Sequence, residues 1–93
     1  MNVANLQLEG VLLAFTAVLR SLVASGALSD GQLKAALADA ERTGLADRQR
    51  CDQLSPSQRD SLAFAARFLS IATRPESGMR PFSDVAREVG RTT

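Results

Sequence analysis

The sequence predicts an all-α fold, a small bundle of four helices with a long central N-terminal helix, on three observations. Hydrophobic residues make up 45% of the chain, mostly Ala and Leu, with no Trp or Tyr, a mix that favours helix over sheet. They recur at intervals of three and four rather than in alternation, the helical period. Start and stop signals then divide the chain into helices at about 3–25, 29–43, 55–73 and 81–90. Ninety-three residues suit one domain, 1–93, large enough to bury roughly two-thirds of its unfolded surface in a single core.

The first helix is expected to run from Val3 to Ser25 and stop at Gly26, which suits a left-handed C-terminal cap. Ser29 and Gln32 have the spacing of a capping box, and Leu28 with Leu33 that of a hydrophobic staple. This tight corner is expected to pack the first two helices together. Helix two continues to Thr43 with Leu33, Ala36, Leu37 and Ala40 on one face, and Gly44-Leu45 reads as a Schellman ending. Residues 46–53 are polar and read as a loop with room for one helical turn. Helix three opens at Ser55-Pro56-Ser57-Gln58, with a capping serine, proline at the first helical position and glutamine at the third. It must end by Thr73, because Pro75 disfavours helical geometry at Arg74. The last helix carries Phe82, Val85, Ala86 and Val89 at i, i+3, i+4, i+7, and Gly90 is expected to end it.

Helix one is the most informative element. Leu8, Val11, Leu12, Phe15, Val18, Leu19, Leu22 and Val23 fill one wide arc, and only Glu9, Thr16 and Arg20 form a polar strip. A further face holds the small residues Gly10, Ala14, Ala17 and Ser21, a ridge that lets another helix approach closely. Helix three repeats the pattern with Leu62, Phe64, Phe68, Leu69 and Ile71 among its alanines. Two such helices carry more apolar surface than one small core needs, and exposed patches of this kind mark interfaces. The expected site is therefore a partner-binding or dimer interface at Gly10, Ala14, Ala17, Ser21, Phe64, Phe68 and Ile71. A symmetric homodimer is the commonest way to cover such a patch. An unnamed protein partner is the other occupant considered. A small apolar ligand held between Phe15, Phe64 and Phe68 is a further option.

A second surface is a cationic stripe of Arg80, Arg87 and Arg91 on the last helix, a possible anion-binding site with Asp84 and Glu88 close by to pair with it. Through this stripe an accessory role beside nucleic acid is the alternative function, although nucleic acid is not the expected partner. The segment Phe82-Ser83-Asp84-Val85-Ala86-Arg87-Glu88-Val89-Gly90 resembles the first helix and turn of lac-repressor-type helix-turn-helix proteins. Over these nine residues the resemblance implies a turn at Gly90; the recognition helix that follows in that family has no counterpart in Arg91-Thr92-Thr93.

Composition argues against catalysis and bound cofactors. Histidine is absent, which removes the usual neutral-pH base and the commonest metal ligand. No Gly-x-Ser-x-Gly, Gly-x-x-x-x-Gly-Lys or Cys-x-x-Cys occurs. The lone Cys51 cannot form an internal disulfide and fits a reducing cytosol, with a redox role open because Arg48 and Arg50 are near in sequence. A formal net charge of +1 selects no class of charged partner, and ten arginines against one lysine read as the codon usage of a GC-rich bacterial genome. The apolar run from Gly10 to Leu19 has Glu9 where a signal peptide needs positive charge and is too short to cross a bilayer. It reads as a buried helix of a cytoplasmic protein that does not enter membranes.

Overall fold

A computed structural model describes residues 2–47, 50, 52–76 and 78–92. It contains four helices: α1 (Val3–Ala24), α2 (Asp30–Leu45), α3 (Pro56–Ala72) and α4 (Phe82–Thr92). The start signals act as their chemistry requires. The Ser29 hydroxyl accepts from the Gln32 N–H while the Gln32 side chain accepts from the Ser29 N–H, and Ser55 with Gln58 repeats the exchange ahead of Pro56. Each box satisfies two amides that a helix start would otherwise leave unpaired. Asn2 caps α1 by accepting from the Ala4 N–H.

At the far end of α1, Gly26 takes φ +81°, where a side chain would be strained. Its N–H donates to the Val23 carbonyl and the Leu28 N–H to the Leu22 carbonyl, closing the last turn. Gly44 and Gly90 do not act this way. Neither has positive φ, α2 runs through Gly44 to Leu45, and α4 runs through Gly90 to Thr92. The expected Schellman ending at Gly44 is thus corrected, as is the turn at Gly90 implied by the helix-turn-helix resemblance.

The central element is α3, not the long N-terminal helix. α2 packs most extensively on α3, α4 next and α1 least, and the corner at 26–29 does not lay α1 along α2. The core gathers Leu12 and Leu19 from α1, Leu33 and Leu37 from α2, Phe68, Leu69, Ile71 and Ala72 from α3, and Val85 and Val89 from α4. Phe68 is fully enclosed, with its ring centroid 5.0 Å from Phe82 in a stacked arrangement and 5.8 Å from Phe64 in a tilted one. Two buried hydroxyls, on Thr16 and Thr73, donate back to the carbonyls of Leu12 and Leu69. Among the described residues no buried polar side-chain atom lacks a partner.

Three arginines tie the elements together. Arg67 of α3 bonds Glu41 of α2 at 2.7 Å and Asp60 on its own helix at 3.4 Å. Its guanidinium is held more strongly protonated than usual, first by the bond to Glu41, despite partial desolvation. Arg74 and Arg80 both donate to Glu88 of α4, at 2.6 and 3.1 Å. The Arg80 bond and then the Arg74 charge hold the Glu88 carboxyl below its ordinary value of 4.5. On the surface, Arg42 pairs with Asp39 one turn away.

Candidate interaction surface

The roll of α1 about its own axis creates the most unusual surface of this protein. At 100° per residue, the side facing the fold carries Leu12, Leu19 and Val23 together with Thr16, Glu9 and Arg20, the polar strip of the sequence. Thr16 is buried, and Glu9 and Arg20 are half-buried. Arg20 donates to the carbonyls of Ala72 and Arg74 at 3.3 and 3.2 Å. These lie at the C-terminal end of α3, where carbonyls lack helical partners and a cation is favoured. The helix therefore turns its polar strip inward and the larger part of its apolar circumference outward.

The outward part covers an arc of about 200°. From Leu6 round to Leu8 it holds fourteen residues, of which only Gln7 and Ser21 are polar, and every one is exposed. Within it, Leu8, Val11, Phe15, Val18 and Leu22 occupy a stripe about 80° wide. They are 52, 62, 48, 54 and 39% exposed. Their spacing is three, four, three, four, the repeat with which one helix presents a seam to another. Leu8, Phe15 and Leu22 hold one seam position and Val11 and Val18 the other, with Ala4 extending the stripe one step toward the N-terminus. Gly10, Ala14, Ala17 and Ser21, singled out in the sequence as a small-residue ridge, are all exposed alongside the seam.

The α3 half of the expected interface is not assembled in this way. Phe68 and Ile71 are buried in the core and present no surface to a partner. Phe64 is half-buried and packs on Phe68 and Phe82. It also lines an open cleft of about 660 Å³ with Leu8, Asp60, Arg67, Ala86 and Val89. Phe15 lies on the outer face of α1, so no chamber forms between Phe15, Phe64 and Phe68, and the expectation of a ligand there is corrected.

The arginine stripe on α4 is divided. Arg80 is engaged by Glu88, whereas Arg87 and Arg91 are exposed. Cys51 and Arg48 lie outside the described residues. No three His, Cys, Asp or Glu side chains come together in metal-holding geometry among the described residues. The expectation of a buried helix too short to cross a bilayer is corrected: α1 is long and apolar enough to cross one by length and composition, and only a small share of it is buried.

The seam itself had a readable signal in the sequence: the three-four repeat of Leu8, Val11, Phe15, Val18 and Leu22 stands inside the wider arc. Comparison with protein-family models, with curated proteins and with solved structures found no match to this chain.

Proposed function

We propose that this protein is a non-catalytic helical interaction module that self-associates through the outer face of α1, most simply as a homodimer. One observation carries the reading: a continuous heptad seam stands open to solvent on a folded protomer whose core is complete without it. The five seam residues together expose about two and a half side chains' worth of apolar surface. At about 1.5–3 kcal/mol per side chain fully buried, covering them is worth about 4–8 kcal/mol per copy. Two copies gain about twice that, against an association cost of about 4–15 kcal/mol. Val3, Leu6 and the small-residue ridge add surface at the margins, so a reversible dimer in the micromolar range is the expected state.

The small-residue ridge supports close approach beside the seam, and the seam contains no charge that would oppose an identical copy. Arg20 and the inward packing of Leu12 and Leu19 hold α1 flat on the fold. This supports a water-soluble assembly over insertion of α1 into a bilayer.

Sedimentation equilibrium of the intact chain in detergent-free buffer, across the micromolar range, tests the proposal. Mass should rise from one protomer to two with concentration. A species that stays at 9.9 kDa throughout removes it. Recovery only in detergent or with lipid vesicles would replace it with a membrane role for the same face.

A further inference from the structure

Resting on that reading, we infer that the two copies of α1 pair antiparallel, with Leu8 of one copy against Val18 of the other, Val11 against Phe15, and Ala4 against Leu22. Three independent features select this arrangement.

The first is the order of side chains along the seam. Two-stranded parallel pairs prefer β-branched residues at the first seam position and leucine at the second. Here the order is reversed, with Leu8, Phe15 and Leu22 at the first and Val11 and Val18 at the second. A parallel pair would stack Phe15 on Phe15 and leave valine against valine in the adjoining layers. An antiparallel pair sets each first-position residue against a second-position residue. Every layer then combines one large and one smaller side chain, the alternation that lets facing layers interdigitate.

The second is register. Helix α1 spans Val3–Ala24. A pairing in which facing residue numbers add to 26 overlaps the two helices almost end to end. It places an apolar residue opposite each of Leu8, Val11, Phe15, Val18 and Leu22. Sliding by one heptad toward the C-terminus instead faces Leu8 with Ser25 and leaves the first turn unpaired. The same register brings Ala14 of the two copies close together on the flank not occupied by Leu12 and Leu19. No charged residue lies there, and small side chains permit close approach.

The third is charge at the helix ends. The first turn of α1 has no acidic residue and its last turn no basic one, so the neutral caps Asn2 and Ser25 stand at its ends and no charged side chain offsets the dipole. Antiparallel pairing places each positive N-terminal end beside the partner's negative C-terminal end, whereas parallel pairing places like ends together.

Disulfide trapping in a Cys51→Ser background decides the orientation, because a bridge needs α-carbons within about 7 Å. In the inferred register, two copies of residue 22 lie 18 positions out of step, about 27 Å along the axis. Leu22→Cys alone should therefore give no cross-linked dimer on mild oxidation. An equimolar mixture of Ala4→Cys and Leu22→Cys chains should give the mixed dimer. The pair Leu8→Cys and Val18→Cys repeats the test with independent positions, each exposed on the protomer, and circular dichroism confirms helix content for every variant. Efficient self-cross-linking of Leu22→Cys, or no mixed dimer from either pair while sedimentation still shows two protomers, overturns the antiparallel pairing and leaves self-association standing. A protomer-sized reduced protein overturns both.

Discussion

Placing a carboxylate at the middle of the seam separates the interface from the fold. Val11 is 62% exposed on the protomer, so Val11→Asp should change monomer stability by no more than about 0.5 kcal/mol, the usual range for surface positions away from special features. Valine and aspartate also have similar helix propensities. In the dimer the same change acts twice. Each copy loses the burial of well over half a valine side chain, about 1–2 kcal/mol, and must desolvate a carboxylate facing Phe15 of the other copy. Two aspartates together should cost at least about 4 kcal/mol, or about a thousandfold in Kd. Sedimentation velocity reads the loss of the dimer, and thermal melts followed by circular dichroism read the fold. Wild-type protein should melt at a temperature that rises with concentration, because binding between folded copies stabilises them by mass action. The variant should melt at one temperature throughout. Aspartate at the exposed Ala38 of α2 is the control and should leave dimerisation unchanged. A Val11→Asp protein that still dimerises with wild-type affinity would refute the assignment of the seam. A variant that unfolds outright would show that Val11 belongs to the core.

The other expectations concern the protomer. Phe68→Ala removes a fully enclosed ring stacked on Phe82 and should cost about 3–5 kcal/mol, most of the stability of a small domain, measured by urea denaturation; a loss under 1 kcal/mol would contradict the core described above. Gly90→Ala should stabilise by about 0.5–1 kcal/mol, since the glycine sits inside α4 with open space where a β-carbon would stand, and a destabilised variant would reinstate a turn there. Glu88 has its folded pKa held below 4.5 by Arg80 and Arg74, so its contribution is present above that value and disappears as pH falls through the lowered one. Wild type and Glu88→Gln should accordingly differ in melting temperature at neutral pH and converge in acid, and an equal gap at both would exclude the clamp. Arg20→Met should raise amide exchange along α1 while leaving α3 protected, because it removes the bonds to Ala72 and Arg74.

Local chemistry made much of the fold legible. Both capping boxes, Pro56 at the start of α3 and Gly26 at the end of α1 each act within a few residues, and each appears in the structure where the sequence placed it. Gly44 and Gly90 show the limit of the same reasoning. A glycine after a helical run ends it only if the chain needs to turn there. A β-carbon at Gly44 would make only ordinary contact with Leu62 at 3.6 Å, so neither space nor backbone conformation requires glycine, and the helix continues. The candidate interface divides along a similar line. Gly10, Ala14, Ala17 and Ser21 are exposed as their pattern suggested, whereas Phe68 and Ile71 have the same apolar character as Phe64 but lie buried in the core. Periodicity along α3 cannot distinguish them, because it does not say which of its apolar faces the neighbouring helices cover.

The roll of α1 is the clearest case of a feature set by the whole chain. Taken alone, its sequence favours burying the widest apolar arc and showing Glu9, Thr16 and Arg20 to water. The structure reverses this, because Arg20 finds the open carbonyls of Ala72 and Arg74, 52 and 54 positions away, and Thr16 satisfies its own hydroxyl on Leu12. With Thr16 and Arg20 satisfied inward, Leu12 and Leu19 suffice to join the core, and the remaining apolar arc has no use within one copy. Hydration of that arc opposes the observed roll, so the roll is favoured only if its inward bonds outweigh the exposure or if a second surface removes the exposure. The bonds of Arg20 to the Ala72 and Arg74 carbonyls are of ordinary length at a half-buried position, worth about 1.5–3 kcal/mol each for a charged donor. Exposure of the seam forfeits about 4–8 kcal/mol. The two terms are of similar size, and covering the seam with a second α1 would add stabilisation that one copy cannot reach alone.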